Sequence, residues 1–580
     1  MQLLEHFKEL TLHPKNAEEL KGLILQLAVQ GKLTRQWRIT NRPELNSKEL
    51  LEVIKVGKIK VLRESNVKSE KPIKDFDLSE VKFDLPENWV WVRFASAAYI
   101  CRGGSPRPIN NFITDDPDGI NWIKIGDTKG VLKYIEECGE KIIPEGLKMS
   151  RLVVPGDFIL SNSMSFGKPY IMRTTGCIHD GWLLIREVKE AINKDFLYHL
   201  LSSPYVYGSF KDSAAGGVVQ NLNIEKVRQT LIPLPPLEEQ KAIVAIVNQL
   251  FAEVEQLEAM TKERIQLKAD FVTSALNQLT QATEQDTASQ WAFLQQHFGT
   301  FFTEKENIKK LREGILQLAV QGKLTRDWRA IRQAQGIPIE HASTLLAKIK
   351  AEKEELIKEK KIKKEKPLPE ISQEEIPYEL PDGWVWCRMG EITTLITDGK
   401  HGNCQDEHDS GYYFLSAKDV QKGKLLYDRA RQINFKEFSE VHQRTNLEPG
   451  DLCIVNTGAT VGKTAIALDN ELTRKSTFQK SVAVVKILHQ FLHIRYLENF
   501  IINQTPKLLK KSGGSAINNL LLGDMKRIIT PLPPLDEQKA IVEKVNSLMA
   551  LCDKLEQEIE THQTTQEEWM QSCLREVVEG

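Results

Sequence analysis

The sequence predicts an α+β fold: two mixed α/β modules separated by two long helices, laid out as a pseudo-twofold tandem repeat. Three observations carry this expectation. They are a near-verbatim internal duplication, a heptad rhythm towards the end of each copy, and a series of short strand-like segments inside each copy. ILQLAVQGKLTR stands at 24–35 and, letter for letter, at 315–326. At the same offset His6-Phe7 recurs as His297-Phe298 and Trp37-Arg38 as Trp328-Arg329. PLPPLEEQKAIV (233–244) returns as PLPPLDEQKAIV (531–542), LPENWVWVR (85–93) as LPDGWVWCR (380–388), and VPGDFIL (154–160) as EPGDLCI (448–454). Self-similarity at a fixed period marks a repeated structural unit, here roughly 290 residues long. The flanks of the two copies are nearly identical, whereas the interiors, 95–230 and 390–528, share little beyond Pro-Gly-Asp, Gly-Lys and Gly-Gly. Matching frames around two differently specialised modules would drift in this way.

Each element follows from its residues. Residues 1–80 read as an N-terminal helical arm. Within it Leu20, Leu23, Ile24, Leu27 and Ala28 recur at helical spacing, and Gly31 stands where a C′ glycine ends a helix. The first module, 81–235, contains WVWVRF, INWIKIG, GDFILS and WLLIRE, short β-branched and aromatic runs bounded by Gly, Pro, Asn and Asp. KDFLYHLLSS supplies a helix. The central region, 236–330, opens with Pro236 at a first helical position and Glu238 and Glu239 at the positive end of the dipole. Ile243, Val247, Leu250, Val254 and Leu257 then step by a heptad pattern, the seam of a paired helix of about forty residues and roughly 60 Å. Leu311, Ile315, Leu318, Ala319 and Gly322 repeat the arm helix. A charged stretch, 331–375, predicts a solvated helix and linker, with a phosphate- or partner-contacting arm as the alternative. The second module spans 376–533, and 534–580 closes with the seam Ile541, Val545, Leu548, Cys552, Leu555 and Ile559. The two seams are expected to partner each other, because a duplicated seam is self-complementary.

Composition narrows the classes. A length of 580 residues requires several domains, and 41% hydrophobic with 27% charged residues describes a soluble globular chain. No apolar run approaches 18 residues and the opening MQLLEHFKEL is charged, which predicts neither a membrane span nor a secretory signal. The eight cysteines form no Cys-x-x-Cys pair, which argues against zinc or a disulfide framework and fits a reducing cytoplasm. A net charge of −1 gives no strong drive towards phosphates. There is no [DN]-P-P-[FYW] methylation motif, no nuclease carboxylate cluster and no duplicated His/Cys spacing, so no catalytic or metal-binding set is expected.

NTGATVGKT (456–464), after the apolar LCIV, invites a nucleotide-binding reading. The phosphate-cradling loop needs G-x-x-x-x-G-K-[ST], but the position five before Gly462 is Thr457, and Gly458 is one residue too close. The first copy reads SNSMSFGKP there and lacks both the first glycine and the closing Ser/Thr.

Taken in order and repeated twice, these features resemble the specificity subunit of Type I restriction–modification enzymes. The resemblance rests on the PLPPLEEQ and PLPPLDEQ helix entries, the twin LAVQGKLTR segments, the Pro-x-x-Trp openings and Pro-Gly-Asp. It also rests on Gly-Gly-Ser-Pro (103–106), the Gly-Lys loops, and the turns GGVVQNLNI (216–224) and GGSAINNLL (513–521). It implies two target-recognition domains held apart by two long antiparallel helices, each domain reading half of a split double-stranded DNA target. It implies no catalysis by this chain and no cofactor in it. Two methyltransferase subunits carrying S-adenosylmethionine and two restriction–translocase subunits using ATP and Mg are the implied partners, in the cytoplasm, with no membrane. Family members commonly begin near the first recognition domain, whereas here an 80-residue arm precedes it. Modules on a rigid spacer can both enter major grooves when half-sites lie about one helical turn apart.

On this reading Lys168 and Lys463 face phosphate, and Asn456 and Thr457 lie near base edges. Further DNA-contact candidates in the first module are Arg102, Ser105, Arg107, Asn110, Lys124, Asp127, Ser161, Asn162, Arg173, Gln220 and Asn221. In the second they are Lys400, His401, Asn403, Lys418, Asp419, Lys475, Gln479, Asn518 and Asn519. Asn and Gly in turns need no ligand to explain them. Trp89/Trp91 and Trp384/Trp386 are expected to fill cores rather than stack on bases. A coiled-coil scaffold would explain the heptads and the neutral charge, but not drift concentrated in two Gly/Asn-rich modules.

Overall fold

The computed structural model describes residues 16–65, 70–162, 167–188, 191–214, 222–511 and 519–579. The chain forms two compact units, 1–264 with 564–580, and 265–563. In each unit one helix of the repeated segment, Asn16–Val29 or Lys305–Val320, buries its apolar stripe and stops at a left-handed glycine. Gly31 has φ 69°, and the Gly31 and Lys32 amides return to the Ala28 and Leu27 carbonyls; Gly322 has φ 71°. A Cβ on either glycine would stand 2.6 Å from Cγ of Pro86 or Pro381. The LPENW and LPDGW turns are therefore packed against the helix stop, which ties two repeated segments into one frame.

A buried carboxylate completes each frame. Glu239 accepts from Thr34 Oγ1 at 2.7 Å, from Trp89 Nε1 at 2.8 Å and from Arg38, and it is 1% exposed. Glu537 repeats the set with Thr325, Trp384 and Arg329. The neighbouring Gln240 and Gln538 side chains accept from the Asn193 and His493 amides at 2.8 Å, docking a module helix onto the frame. An ion pair this deeply buried is tolerable because three donors serve the two oxygens of each carboxylate. PLPPLEEQ and PLPPLDEQ thus hold the frame together. Trp89 and Trp384 are buried, and Trp91 packs on Phe83 and Tyr205 as Trp386 does on Tyr378, so all four serve packing as expected.

Strand Val90–Arg93 pairs antiparallel with Leu231–Leu234, and Val385–Arg388 with Ile529–Leu532, so each module leaves and re-enters its frame at one place. In the first module a five-stranded sheet runs in the order Ala98–Arg102, Trp182–Glu187, Phe158–Ser161, Pro169–Met172, Tyr134–Ile135. A second has the order Ile113–Thr114, Glu140–Ile142, Ile120–Ile123, Gly176–Ile178, Arg151–Val153. The second module keeps the first sheet as four strands, Thr393–Asp398, Val482–Ile487, Leu452–Val455 and Thr464–Ile466. It reduces the other to Arg431–Gln432, Tyr413–Leu415 and Ser476–Phe478. In both, the strand just before Trp182–Glu187 or Val482–Ile487 in sequence pairs in parallel, Gly176 with Asn121 and Ser476 with Tyr413. The Pro-Gly-Asp aspartates face a cation on the second strand of the sheet, Asp157 with Arg186 on Trp182–Glu187 and Asp451 with Lys486 on Val482–Ile487. Burial pushes the Asp451 carboxyl up to about 6 even with Lys486 Nζ at 2.6 Å.

The two long helices, Leu237–Gln281 and Leu535–Glu579, have 45 residues each, about 68 Å at the α-helical rise. Pro236 and Pro534 lie one position ahead of the first turn rather than inside it; their carbonyls accept from Gln240 and Gln538 at 2.9 Å. The seams pair in reverse order within the units. Val254 shares a core with Met570, and Val272, Leu276 and Leu279 share one with Ile541, Val545 and Cys552. Arg312 bridges Asp553 and Glu556 beside the second. The charged stretch contains helix Ala342–Lys358, seated by Ala342, Leu345 and Ile349. It is the copy of Ser47–Glu64, and Lys58 and Lys353 donate to carbonyls at equivalent places.

Candidate nucleic-acid interface

NTGATVGKT closes a β-hairpin. Strand Leu452–Val455 runs antiparallel to Thr464–Ile466, with the Gly462 amide on the Val455 carbonyl and the Val455 amide on the Lys463 carbonyl, both at 2.8 Å. Gly458 and Gly462 take φ 107° and 91°, and a Cβ on Gly462 would meet Thr505 Cγ2 at 2.2 Å. A phosphate loop needs a helix N-terminus after it, and here a strand follows. The hairpin between Phe158–Ser161 and Pro169–Met172 is built alike, with Gly167 at φ 80° donating to Ser161 O at 2.7 Å. Lys463 and Lys168 are exposed on the two hairpins; Lys168 Nζ lies 5.2 Å from the Tyr170 ring centre. Asn162 and Asn456 are equivalent and buried. Their amides donate to Gly181 O and Ser481 O at 3.0 Å, and their carbonyls accept from Leu222 and Leu520. Thr457 Oγ1 donates to Asn519 Oδ1 at 3.0 Å, joining the hairpin to the second glycine turn.

Beside each hairpin lies a polar cluster, and the two clusters differ in kind. In the first module the cluster centres on Asp180. Its Oδ1 accepts from Ser105 Oγ at 2.8 Å and its Oδ2 from Arg107 Nη2 at 3.1 Å; its carbonyl accepts from Arg102 Nε and Asn162 Nδ2, each at 3.0 Å. The Ser105 hydrogen bond holds the Asp180 carboxyl below the usual carboxylate range. His179 accepts the Gly181 amide on Nδ1 at 2.8 Å, which places its hydrogen on Nε2, and burial lowers its pKa. In the second module Asp398 accepts from Arg444 and lies 3.0 Å from His401 Nε2. Lys400 is bound to Glu437, which raises the lysine and lowers the carboxyl. Both modules cross their strands at a glycine: a Cβ on Gly103 would lie 2.1 Å from His179 O, and one on Gly399 lies 1.7 Å from Phe478 O.

Residues 86–267 and 381–562 each match the family described as the Type I restriction modification DNA specificity domain. The chain belongs to that family. It is 28% identical to the specificity subunit of the Type I restriction enzyme EcoAI of Escherichia coli, across 95% of this chain and 92% of that protein. To the EcoEI specificity subunit of the same species it is 26% identical, with the same coverage. A solved chain from the complex assembly and conformational transition of the type I R-M system overlays at TM-score 0.45 and 18% identity, covering 86% of this chain and 99% of that one.

Within the first specificity domain the remaining candidates divide by role. Asn110 is exposed on the turn Ile109–Asn111. Asp127 accepts the Lys124 amide at 2.7 Å and so caps its own turn, while Lys124 Nζ is held by Glu140. Ser161 is buried under the hairpin, and Arg173 stacks on Tyr134 while paired with Glu136. In the second domain Asp419 is buried as the counterpart cap, accepting from Ser416 at 2.8 Å, with Lys418 exposed beside it. Asn403 accepts from Arg431, Lys475 pairs with Glu471, and Gln479 bridges Lys400. Gln220, Asn221 and Asn518 lie outside the described residues. Sequence reasoning missed Asp180, His179, Asp398, Arg431 and Arg444. Aligning GCIHDGW (176–182) with STFQKSV (476–482) would have drawn the eye to Asp180, since Lys480 replaces it.

Proposed function

We propose that this chain is the DNA-reading subunit of a Type I restriction–modification complex, that it reads an asymmetric split target with one half-site per module, and that it performs no chemistry itself. The observation that carries the reading is that two copies of one specificity domain present unlike side chains at equivalent places. Asp180 with Ser105 and Arg107 stands in one, Lys480 with Lys400 and His401 in the other. Unlike readers select unlike half-sites, because each base pair shows its own donor and acceptor pattern in the major groove. Exposed Lys168 and Lys463 suit phosphate, and Arg102, Arg107, Lys418 and Asn519, which are exposed, and Thr457, which is half-buried, have side chains suited to base or sugar edges. The reading carries as partners two methyltransferase subunits that bind S-adenosylmethionine and two restriction subunits that use ATP and Mg, in the cytoplasm, and membership of the specificity-domain family supports a place in such a complex. Among the described residues no helix is long and apolar enough to cross a membrane.

The test is a methylome map. The chain is expressed with its methyltransferase partner in a host free of adenine methylation, and modified adenines are located by sequencing. Two unlike half-sites around a fixed gap are expected, and exchanging 81–232 for the equivalent segment of a relative should change one half alone. A continuous motif would refute separate reading by the two modules.

A further inference from the structure

We propose that Arg107, held by Asp180, reads one guanine of the half-site taken by the first module, with Asp180 as its positioning residue; this rests on the DNA-reading function above. Arg107 stands at the mouth of an open cleft of about 760 Å³, walled by residues 105–109 with Trp122, Lys124 and His179. Its side chain is 78% exposed and Nη2 is tied to Asp180 Oδ2, while Nη1 has no hydrogen-bond partner among the described residues. Asp180 cannot swing away. Its other carboxylate oxygen takes the Ser105 hydroxyl, its amide donates to Ser105 Oγ at 3.3 Å, and its carbonyl is gripped by Arg102 and buried Asn162. An exposed ion pair adds little to stability, so stability does not account for so much fixing of one surface carboxylate. Pre-organisation does, because a fork fixed before binding loses less freedom on contact.

The same carboxylate selects the ligand. Guanine offers O6 and N7 to an arginine fork, whereas adenine puts an amino donor at one of those positions. A phosphate would bring a second negative charge close to Asp180, and two like charges at that range repel. A neutral base edge escapes that repulsion. The rest of the cleft suits a neutral ligand too: Trp122 is buried in the wall, Lys124 is already paired with Glu140, and burial disfavours the charged form of His179. In the second module the equivalent position is Lys480, exposed and without a side-chain partner among the described residues, so no arginine is held there.

The experiment uses the full chain in complex with its methyltransferase subunits and duplexes of the mapped target in which each guanine in turn is replaced by 7-deazaguanine, which lacks the N7 acceptor. For the wild type, one guanine in one half-site should be sensitive, with affinity falling about tenfold. Arg107→Ala should bind the unmodified target about tenfold more weakly and be indifferent to 7-deazaguanine at that position only. Arg107→Lys, which keeps the charge, should lose the same sensitivity, and Asp180→Asn should reduce it. The other half-site serves as the internal control for folding. If Arg107→Ala weakens every sequence equally and lowers the salt dependence, Arg107 is a phosphate contact and the inference falls. It falls equally if full sensitivity survives in Arg107→Ala and Arg107→Lys, or if no guanine is sensitive. A complex with no preference for any split target overturns the DNA-reading function as well; one that keeps its split target but ignores Arg107 overturns the arginine assignment alone.

Discussion

His199 shows what burial does to a titratable side chain in this fold. It lies on helix Lys194–Leu201, 6% exposed, with Nε2 3.3 Å from Asn248 Oδ1 and its ring edge-on to Phe251. Burial holds its pKa down at about 4, against 6.5 for a free histidine. Between those values the unfolded chain takes up a proton that the folded chain refuses. The His199 contribution is therefore complete above pH 6.5 and is lost as pH falls towards 4, by up to about 3 kcal/mol. Denaturant melts at pH 7.5 and pH 5 should show a smaller acid loss in His199→Gln than in wild type. Equal losses in the two proteins would mean that His199 protonates freely in the folded state. The hairpin lysines make a second residue-scale prediction. Lys168→Ala and Lys463→Ala should each lower the slope of log K against log salt by about 1, at an unchanged target motif, because a phosphate contact carries no base information. A changed motif in either variant would mean that its lysine reads a base.

Among elements, the glycine stops of the repeated helices separate two effects that usually arrive together. Gly31 ends the repeated helix and Gly336 follows helix Arg326–Ala334, both with positive φ, 69° and 65°, but a Cβ on Gly31 would meet the Pro86 ring while one on Gly336 would have nothing within 4 Å. Gly336→Ala should cost about 1 kcal/mol, the price of a left-handed residue with a side chain. Gly31→Ala should cost clearly more, since the Pro86 ring must move, and thermal unfolding of the two variants compares them directly. Matching losses would show that the turn yields freely. The helix stops, the seams and most of the strands were legible in sequence because their signals are local: a 3.5-residue rhythm, a glycine, a short β-branched run. Asp180 was not legible in that way. It gathers residues 102, 105, 107 and 162 from two strand ends and a loop, and only the strand order of a folded sheet brings those positions together. Residue type alone also placed Asp127 and Asp419 among DNA contacts, although each spends its carboxylate on capping its own turn.

For the whole molecule the deciding quantity is charge. The chain carries 78 Lys and Arg against 79 Asp and Glu. Many module cations are already matched, Lys124 by Glu140, Arg173 by Glu136, Lys400 by Glu437 and Lys475 by Glu471. DNA binding draws much of its affinity from phosphate neutralisation, so a neutral chain has selectivity to offer but little general attraction. The lone chain should therefore bind its target weakly and with a shallow salt dependence. Adding the methyltransferase subunits should raise specific affinity sharply and steepen that dependence, since they must bring the positive surface that this chain lacks. Titration of labelled target and scrambled duplexes at several salt concentrations, with and without the partner, measures both. Tight, specific and steeply salt-dependent binding by the lone chain would refute this division of labour, and it would mean that Lys168, Lys418, Lys463, Lys480 and their neighbours form a concentrated phosphate surface despite the neutral total. If affinity rises with the partner but the salt slope does not, the partner acts by ordering the modules rather than by supplying charge.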